Sequence, residues 1–173
     1  IRLIGRITIS EATAGTWATA PTEVALAPFE KAAVVALYES NAAQSINNGS
    51  LTIMDFEDKV YDSHAAVTVG ASWKFTVPTG FAGKYLVTSR VAFVANATGY
   101  REMQIYKNGA NYAYWDFGPA LVAGTLGSMN STEILHLQEA DYIDIRVEQG
   151  SGGALAMTGG ATAIRVSITR LGD

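Results

Sequence analysis

The sequence has no cysteine, only two histidines among 173 residues, and a charged fraction of 16%. The missing cysteines exclude disulfides, thiol nucleophiles and cysteine-ligated zinc. His64 and His136 lie far apart in the sequence and do not provide the clustered imidazoles that a cupin-like metal site needs. The net charge of −4 argues against a nucleic-acid partner, which would require a basic patch. No apolar run reaches the roughly 18 residues of a membrane-spanning helix, so no membrane insertion is expected.

Apolar residues are abundant and make up 49% of the chain. A chain of this length can bury an adequate single-domain core without covalent cross-links. No paired carboxylates or nucleophile-and-base motif occur on a recognisable framework, and the glycine-rich segments lack the strand-then-helix context of a phosphate loop. We therefore predict a protein that is not an enzyme and uses no cofactor.

From residue 51 to residue 171 the apolar residues recur with a period of two. Apolar and polar positions alternate in residues 73–77, 143–148 and 164–169, as expected for half-buried strands. Asn108-Gly109 is a strong signal for a hairpin turn, because both residues accept positive φ. Short strands separated by glycine-containing turns are typical of an antiparallel sandwich or barrel.

The N-terminal part of the chain has a different pattern. Residues 28–38 are rich in helix formers and begin with Pro28, but Val34, Val35 and Tyr38 also suit a strand. Residues 1–30 have little periodicity and are interpreted as an extended arm for attachment or strand exchange. The apolar residues expected to anchor this arm are Leu3, Ile4, Ile7, Ile9 and Trp17.

Several motifs, taken in order, resemble those of a known family. The first motif is an aromatic segment ending in proline, residues 73–78, which is followed by Gly83-Lys84-Tyr85. The next motifs are the Lys107-Asn108-Gly109 hairpin and the segment 137–141. The last is a closing strand at residues 163–171. In this order they resemble the jelly roll shared by the globular head of complement component one-q and tumour necrosis factor. Ala140 stands where that family usually has glycine.

The resemblance covers about residues 32–173 and implies the fold. It implies an all-β, antiparallel jelly-roll β-sandwich of about ten strands in residues 31–173, packed as a homotrimer. It also places an opening strand at residues 33–39, so a strand is predicted there in preference to a helix.

Two sets of surface residues follow as predictions. Aromatic and apolar residues on both faces of two predicted strands favour a subunit interface, formed by Leu86, Ala92, Val94, Tyr106, Tyr112, Tyr114, Trp115 and His136. Loops at one end of the sandwich are expected to contact a receptor through Asn96, Thr98, Tyr100, Gly118, Asn130 and Ser151.

The densest acidic cluster contains Asp55, Glu57, Asp58 and Asp62. Calcium prefers several oxygen ligands on one loop. The spacing lacks the central glycine and terminal glutamate of a calcium loop, so a solvated strand edge is the favoured interpretation over a metal site.

Residues 41–49, Gly99-Tyr100-Arg101 and residues 169–172 are similar to bacteriophage and bacterial members of the family. The predicted function is therefore a trimeric virion surface protein, located on the particle and acting as a receptor-binding tail-fibre tip. Its partners would be itself, other capsid or tail proteins, and a host-surface glycan or protein. The alternative is a capsid decoration or head-fibre protein held by the arm, and a secreted bacterial binding module is the third interpretation.

Overall fold

The computed structural model of the protein describes residues 33–120 and 127–173, and every regular element in them is a β-strand. The thirteen strands in these ranges exceed the predicted ten because four of them have only two residues each. No helix in the described part is long and apolar enough to cross a membrane. The predicted arm, with Leu3, Ile4, Ile7, Ile9 and Trp17, lies outside the described residues. The strands are β1 (Val35–Glu39), β2 (Ser45–Ile46), β3 (Thr52–Ile53), β4 (Asp58–Asp62), β5 (Val67–Thr68), β6 (Lys74–Thr76), β7 (Gly83–Phe93), β8 (Tyr100–Lys107), β9 (Ala110–Pro119), β10 (Gly127–Leu137), β11 (Tyr142–Gln149), β12 (Leu155–Ala156) and β13 (Arg165–Gly172).

Two antiparallel sheets contain most of these strands. One has the order β10-β7-β13-β1-β4, and the other has the order β5-β6-β11-β8-β9 with β3 paired to β11. A short β12-β2 pair completes the described strands. The chain passes repeatedly from one sheet to the other, and every strand pair among the described residues is antiparallel. The predicted all-β antiparallel jelly-roll sandwich is confirmed.

The opening strand β1 forms where local helix propensity competes with strand pairing. Its residues pair in register with β13, from Val35 opposite Thr169 to Glu39 opposite Arg165. Val34, Ala36 and Tyr38 are buried, so this segment covers the core with a period of two. Tertiary pairing therefore overrides the local helix propensity within residues 33–38, and the predicted strand is confirmed.

The core lies between the sheets and is rich in aromatic side chains. Trp73, Phe75 and Val77 are buried on the inner side of the β6 segment, as the alternation predicts. The Trp73 ring packs edge-on against Phe56, with 5.0 Å between ring centroids. Burying each of these large side chains contributes about 1.5–3 kcal/mol, so this inner layer supplies much of the stability.

Two tight turns at one end of the sandwich use positive φ. Asn108 and Gly109 have φ of 52° and 78°, which confirms the hairpin predicted between β8 and β9. Ala140 has a φ of 63° in the turn before β11. The turn that the family usually forms with glycine is therefore retained with alanine.

Asp141 joins these two turns through its carboxylate. It accepts hydrogen bonds from Asn108 Nδ2 at 2.7 Å and from the Gln138 backbone N–H at 2.8 Å, and it forms an ion pair with Lys107 Nζ at 2.9 Å. Burial alone would raise its pKa, but the bonds from Lys107, Asn108 and Gln138 together with the Lys107 charge lower the pKa to about 2. The carboxylate therefore contributes to stability only while it is ionised.

We expect Asp141→Asn to lower the free energy of unfolding by about 2 kcal/mol at pH 7, from a pKa depression of nearly two units. Because the folded-state pKa is below the unfolded value of about 3.9, this contribution is complete above pH 4 and is lost as the pH falls through 2. Urea unfolding of both proteins at pH 7, 4 and 2 measures the difference. Glu57→Gln, at an exposed carboxylate, is the control and should change stability by less than about 0.5 kcal/mol. An equal loss for Asp141→Asn at pH 7 and pH 2 would contradict this electrostatic origin.

Candidate functional site

The outward face of the sheet β10-β7-β13-β1-β4 is one candidate surface, and we call it the five-strand face. Strand register aligns Tyr61, Leu37, Ser167, Thr88 and Thr132 in one row across it, since directly opposite residues share a face. A shallow cavity of about 640 Å³ follows this row. The five-strand face therefore combines hydroxyl groups at its centre with Tyr61 and Leu37 toward the β4 edge.

A second row of the five-strand face is more apolar. Val35, Thr169, Leu86 and Ile134 align across β1, β13, β7 and β10. Ile134 is 54% exposed, and Leu171 near the end of β13 is 53% exposed. A sheet face intended for water usually carries polar residues at such positions. This row has the character of a protein–protein contact surface.

The structure places four of the predicted interface residues on or near β7 and β10. Leu86 and His136 lie on the five-strand face, and the exposed His136 ring is within hydrogen-bond distance of Gln138 Nε2, at 3.2 Å. Ala92 points to the same side but is only 3% exposed, and Val94 packs against the core. Of the four, Leu86 and His136 have side chains available to another subunit.

The other predicted interface residues, Tyr106, Tyr112, Tyr114 and Trp115, lie on β8 and β9 of the opposite sheet. The structure therefore does not bring the eight predicted residues into one patch. Strict alternation along β9 is interrupted by two β-bulges, one opposite Met103/Gln104 and one opposite Ile105/Tyr106. Trp115 occupies the first bulge and packs partly against the core.

Four loops lie close together at the end of the sandwich where β8 begins. The Gly99 carbonyl accepts a hydrogen bond from Ala120 N–H at 2.8 Å, and the Tyr100 carbonyl accepts one from Gly150 N–H at 3.1 Å. Asn48 Oδ1 accepts a hydrogen bond from Gly152 N–H at 2.7 Å, which adds the β2–β3 loop. We call this region the end loops; its described residues are 47–50, 94–99, 120 and 150–153.

Three of the predicted receptor residues lie in the end loops and three do not. Asn96, Thr98 and Ser151 are loop residues, and Thr98 N–H donates to Asn96 Oδ1 at 2.8 Å. The loop placement of Tyr100, Gly118 and Asn130 is corrected, because these residues belong to β8, β9 and β10. Glycine and asparagine have low strand propensity, but long-range pairing holds Gly118 opposite Arg101 and Asn130 opposite Arg90.

Arg101 is a functional candidate that the sequence reasoning missed. Its side chain is buried, and its guanidinium donates to the carbonyls of Asn96 and Thr98 at 3.1 Å and of Tyr100 at 2.6 Å. It also lies over the Phe93 ring, 5.4 Å from the centroid, and burial lowers its pKa. Arg101 thus fixes the backbone of the β7–β8 loop through these carbonyl groups. Its position directly after Gly99-Tyr100 carries no sequence signal for this role.

The acidic residues Asp55, Glu57, Asp58 and Asp62 do not converge. Within residues 33–120 and 127–173 no group of three or more potential metal ligands lies close enough to hold an ion. Glu57 points to solvent, and the other three carboxylates accept hydrogen bonds from separate segments: Gly70 N–H to Asp55 at 2.8 Å, Asn41 N–H to Asp58 at 2.9 Å, and Val67 N–H to Asp62 at 3.1 Å. These carboxylates stabilise local loops and strands.

Comparison with known proteins supports the fold. No family model and no curated protein matches the sequence. Among solved structures, the Eiger tumour necrosis factor of S. frugiperda superposes with a TM-score of 0.63 at 12% identity, covering 82% of this chain and 94% of that one. The globular domain of zebrafish complement 1qA gives a TM-score of 0.56 at 12% identity, covering 80% and 97%. PRD1 vertex protein P5 gives 0.53 at 16% identity, covering 80% and 95%. The described part of the chain therefore has the jelly-roll fold that these tumour necrosis factor, complement one-q and vertex proteins share.

Proposed function

We propose that this chain is a non-enzymatic virion surface protein that forms a homotrimer and attaches the particle to a host surface. The single observation that supports a homotrimer is the exposed apolar row of the five-strand face. In this row Leu86 lies on an inner strand and Ile134 lies on the edge strand β10. Attachment would then use the end loops, which the scaffold leaves free at one end. The phage vertex protein among the structural neighbours supports a place on a virion.

A cyclic trimer needs two different patches on each subunit, because its interfaces are head-to-tail. The five-strand face supplies one of them. The edge where β9 runs beside β10 is a candidate for the other, since the exposed Tyr112 side chain belongs to β9. The separation of the predicted interface residues into two groups is compatible with this kind of assembly.

The end loops suit a binding role because they combine a rigid base with varied polar tips. Arg101 and the close approach of Gly99 to Gly150 fix their backbones. Asn96, Thr98 and Ser151 then present side chains on a supported framework. Binding residues commonly occupy loops held in this way on a stable sandwich.

A capsid decoration or head-fibre role is the second candidate. The specific observation in its favour is that the PRD1 neighbour is named a vertex protein. In this version the arm, residues 1–30, attaches the domain to the shell. A tail-fibre tip would instead use the end loops as its main contact.

Antibody labelling tests the proposed location. Gold-labelled antibody raised against the full chain is applied to purified particles whose genome encodes it, and discrete label on intact particles is expected. The two versions are separated with a variant lacking residues 1–28, compared with the full chain for binding to unlabelled shells and to host cells. Loss of shell binding alone supports decoration, and cell binding by both proteins without shell binding by either supports the fibre tip. If neither binding changes, the arm is only a linker and has no part in attachment. Particles without label would overturn the virion assignment.

A further inference from the structure

The outer face of the other sheet carries an unusual combination of exposed rings and buried polar groups, which we call the aromatic patch. Strand register places Phe117 opposite Glu102 and Tyr114 opposite Gln104, while Glu148 lies opposite Glu102 on the other side. One face of β11, β8 and β9 therefore carries all five of these side chains: Glu148, Glu102, Gln104, Tyr114 and Phe117. The β-bulge at Trp115, opposite Met103/Gln104, is the reason that Tyr114 and Phe117 lie on the same side.

Glu102 is a buried carboxylate with little compensation. It is 8% exposed, and among the described residues its side chain accepts a hydrogen bond only from Gln104 Nε2 and forms no ion pair. Glu148 faces it directly across the strands and accepts a bond from the Tyr100 hydroxyl. Like charges in directly opposite positions destabilise a sheet, and a buried charge needs hydrogen-bond donors. A ligand that donates to these carboxylates would relieve this cost.

Neighbouring groups of the patch are already paired with one another. Arg146 Nε donates to the buried Asp144 carboxylate at 2.6 Å, and its guanidinium lies 3.8 Å from the centroid of the Tyr106 ring. Asn111 Nδ2 donates to Gln104 Oε1. The patch thus offers carboxylate acceptors and amide groups, while the Arg146 guanidinium is already bound by Asp144 and the Tyr106 ring.

Exposed rings border these polar groups. Tyr114 is 70% exposed and Phe117 is 64% exposed, the highest values among the large apolar and aromatic side chains of the described residues. The Tyr100 ring lies 5.7 Å from Phe117, which extends the apolar surface toward the end loops. Such rings bury area at low entropic cost when a flat, partly apolar ligand stacks on them.

We infer that the aromatic patch binds a saccharide with free adjacent hydroxyl groups; this inference rests on the proposed attachment function and adds a second contact surface next to the end loops. The C–H face of a pyranose ring stacks on Phe117 and Tyr114, while its hydroxyl groups donate to Glu102 and Glu148. Hydroxyl groups both donate and accept, so they also match the amides of the patch.

The test uses the full-length chain and two measurements of saccharide binding. A glycan array that displays bacterial surface polysaccharides identifies a ligand, and saturation-transfer NMR with glucose, galactose, mannose and N-acetylglucosamine tests the ring contact. We expect binding to at least one hexose or hexosamine. Phe117→Ala and Glu102→Gln should each weaken it by about tenfold or more. Val69→Ala and Glu57→Gln, at an exposed apolar side chain and an exposed carboxylate elsewhere, should leave it unchanged.

Other outcomes overturn the inference in distinguishable ways. Saccharide binding that survives both Phe117→Ala and Glu102→Gln would move the site elsewhere and leave the attachment function intact. Binding of an oligolysine peptide without any saccharide would assign the patch to a basic protein partner. Loss of the trimer in Phe117→Ala would make the patch a subunit contact. The absence of any saccharide binding, with particle labelling still positive, would reject the ligand class alone.

Discussion

Ile134→Asp is expected to convert the proposed trimer into a folded monomer. Ile134 is 54% exposed in one subunit, so aspartate is tolerated there in isolation. Within the proposed interface the same carboxylate would be buried under the neighbouring subunit, beside Leu86 of the apolar row, at a cost of several kcal/mol per uncompensated charge. Multi-angle light scattering at micromolar concentration should record a fall from three chain masses to one. Circular dichroism should show an unchanged strand signal.

Val69→Asp is the matched control for this experiment. Val69 has a similar exposure, 49%, but lies in the turn after β5, away from the five-strand face. The control should remain a trimer. Leu171→Asp provides a second interface variant in case Ile134→Asp fails to fold. Trimers that persist in both interface variants would contradict the assignment of this face to self-association.

Gly99→Ala is expected to lower the free energy of unfolding by about 3 kcal/mol or more. Gly99 has a φ of 74°, and an added Cβ would lie 1.8 Å from the Gly150 carbonyl oxygen. The positive φ costs an alanine about 1–2 kcal/mol, and forcing the two loop backbones apart adds about 1–3 kcal/mol. Urea unfolding measures the loss. Binding by the end loops should fall together with stability because Asn96 and Ser151 lie on the displaced segments.

Gly152→Ala separates the two contributions to this effect. Gly152 also has a positive φ, 89°, but no atom lies within 4 Å of the added Cβ. Gly152→Ala should therefore lower the free energy of unfolding only by the conformational cost of positive φ, about 1–2 kcal/mol. Equal losses in the two variants would show that the Gly99–Gly150 approach has no part in stability.

The sequence carries strong signals for the strands whose inner residues alternate strictly. Residues 73–77 and 143–147 place large apolar side chains at every second position, and water exclusion then determines which face is buried. Asn108-Gly109 identifies the hairpin because few other pairs accept two positive φ values. These signals predict an antiparallel sandwich or barrel, and their resemblance, in order, to a known family implies the jelly roll.

The surfaces could not be predicted to the same degree, because they depend on register between distant strands. The bulge at Trp115 moves Phe117 to the side of Tyr114, and nothing in the run from Tyr112 to Phe117 marks where it occurs. The directly opposed carboxylates of Glu102 and Glu148 arise only when β8 pairs with β11. Gly118 and Asn130 belong to strands because their partners hold them there, against their own propensities.

We expect three chains to assemble through the five-strand face into one attachment unit. The mass of the full-length wild-type chain in solution at micromolar concentration, measured by light scattering, tests this assembly most directly. The expected mass is three times the chain mass of 18.3 kDa. A single 18.3 kDa species at that concentration would contradict it.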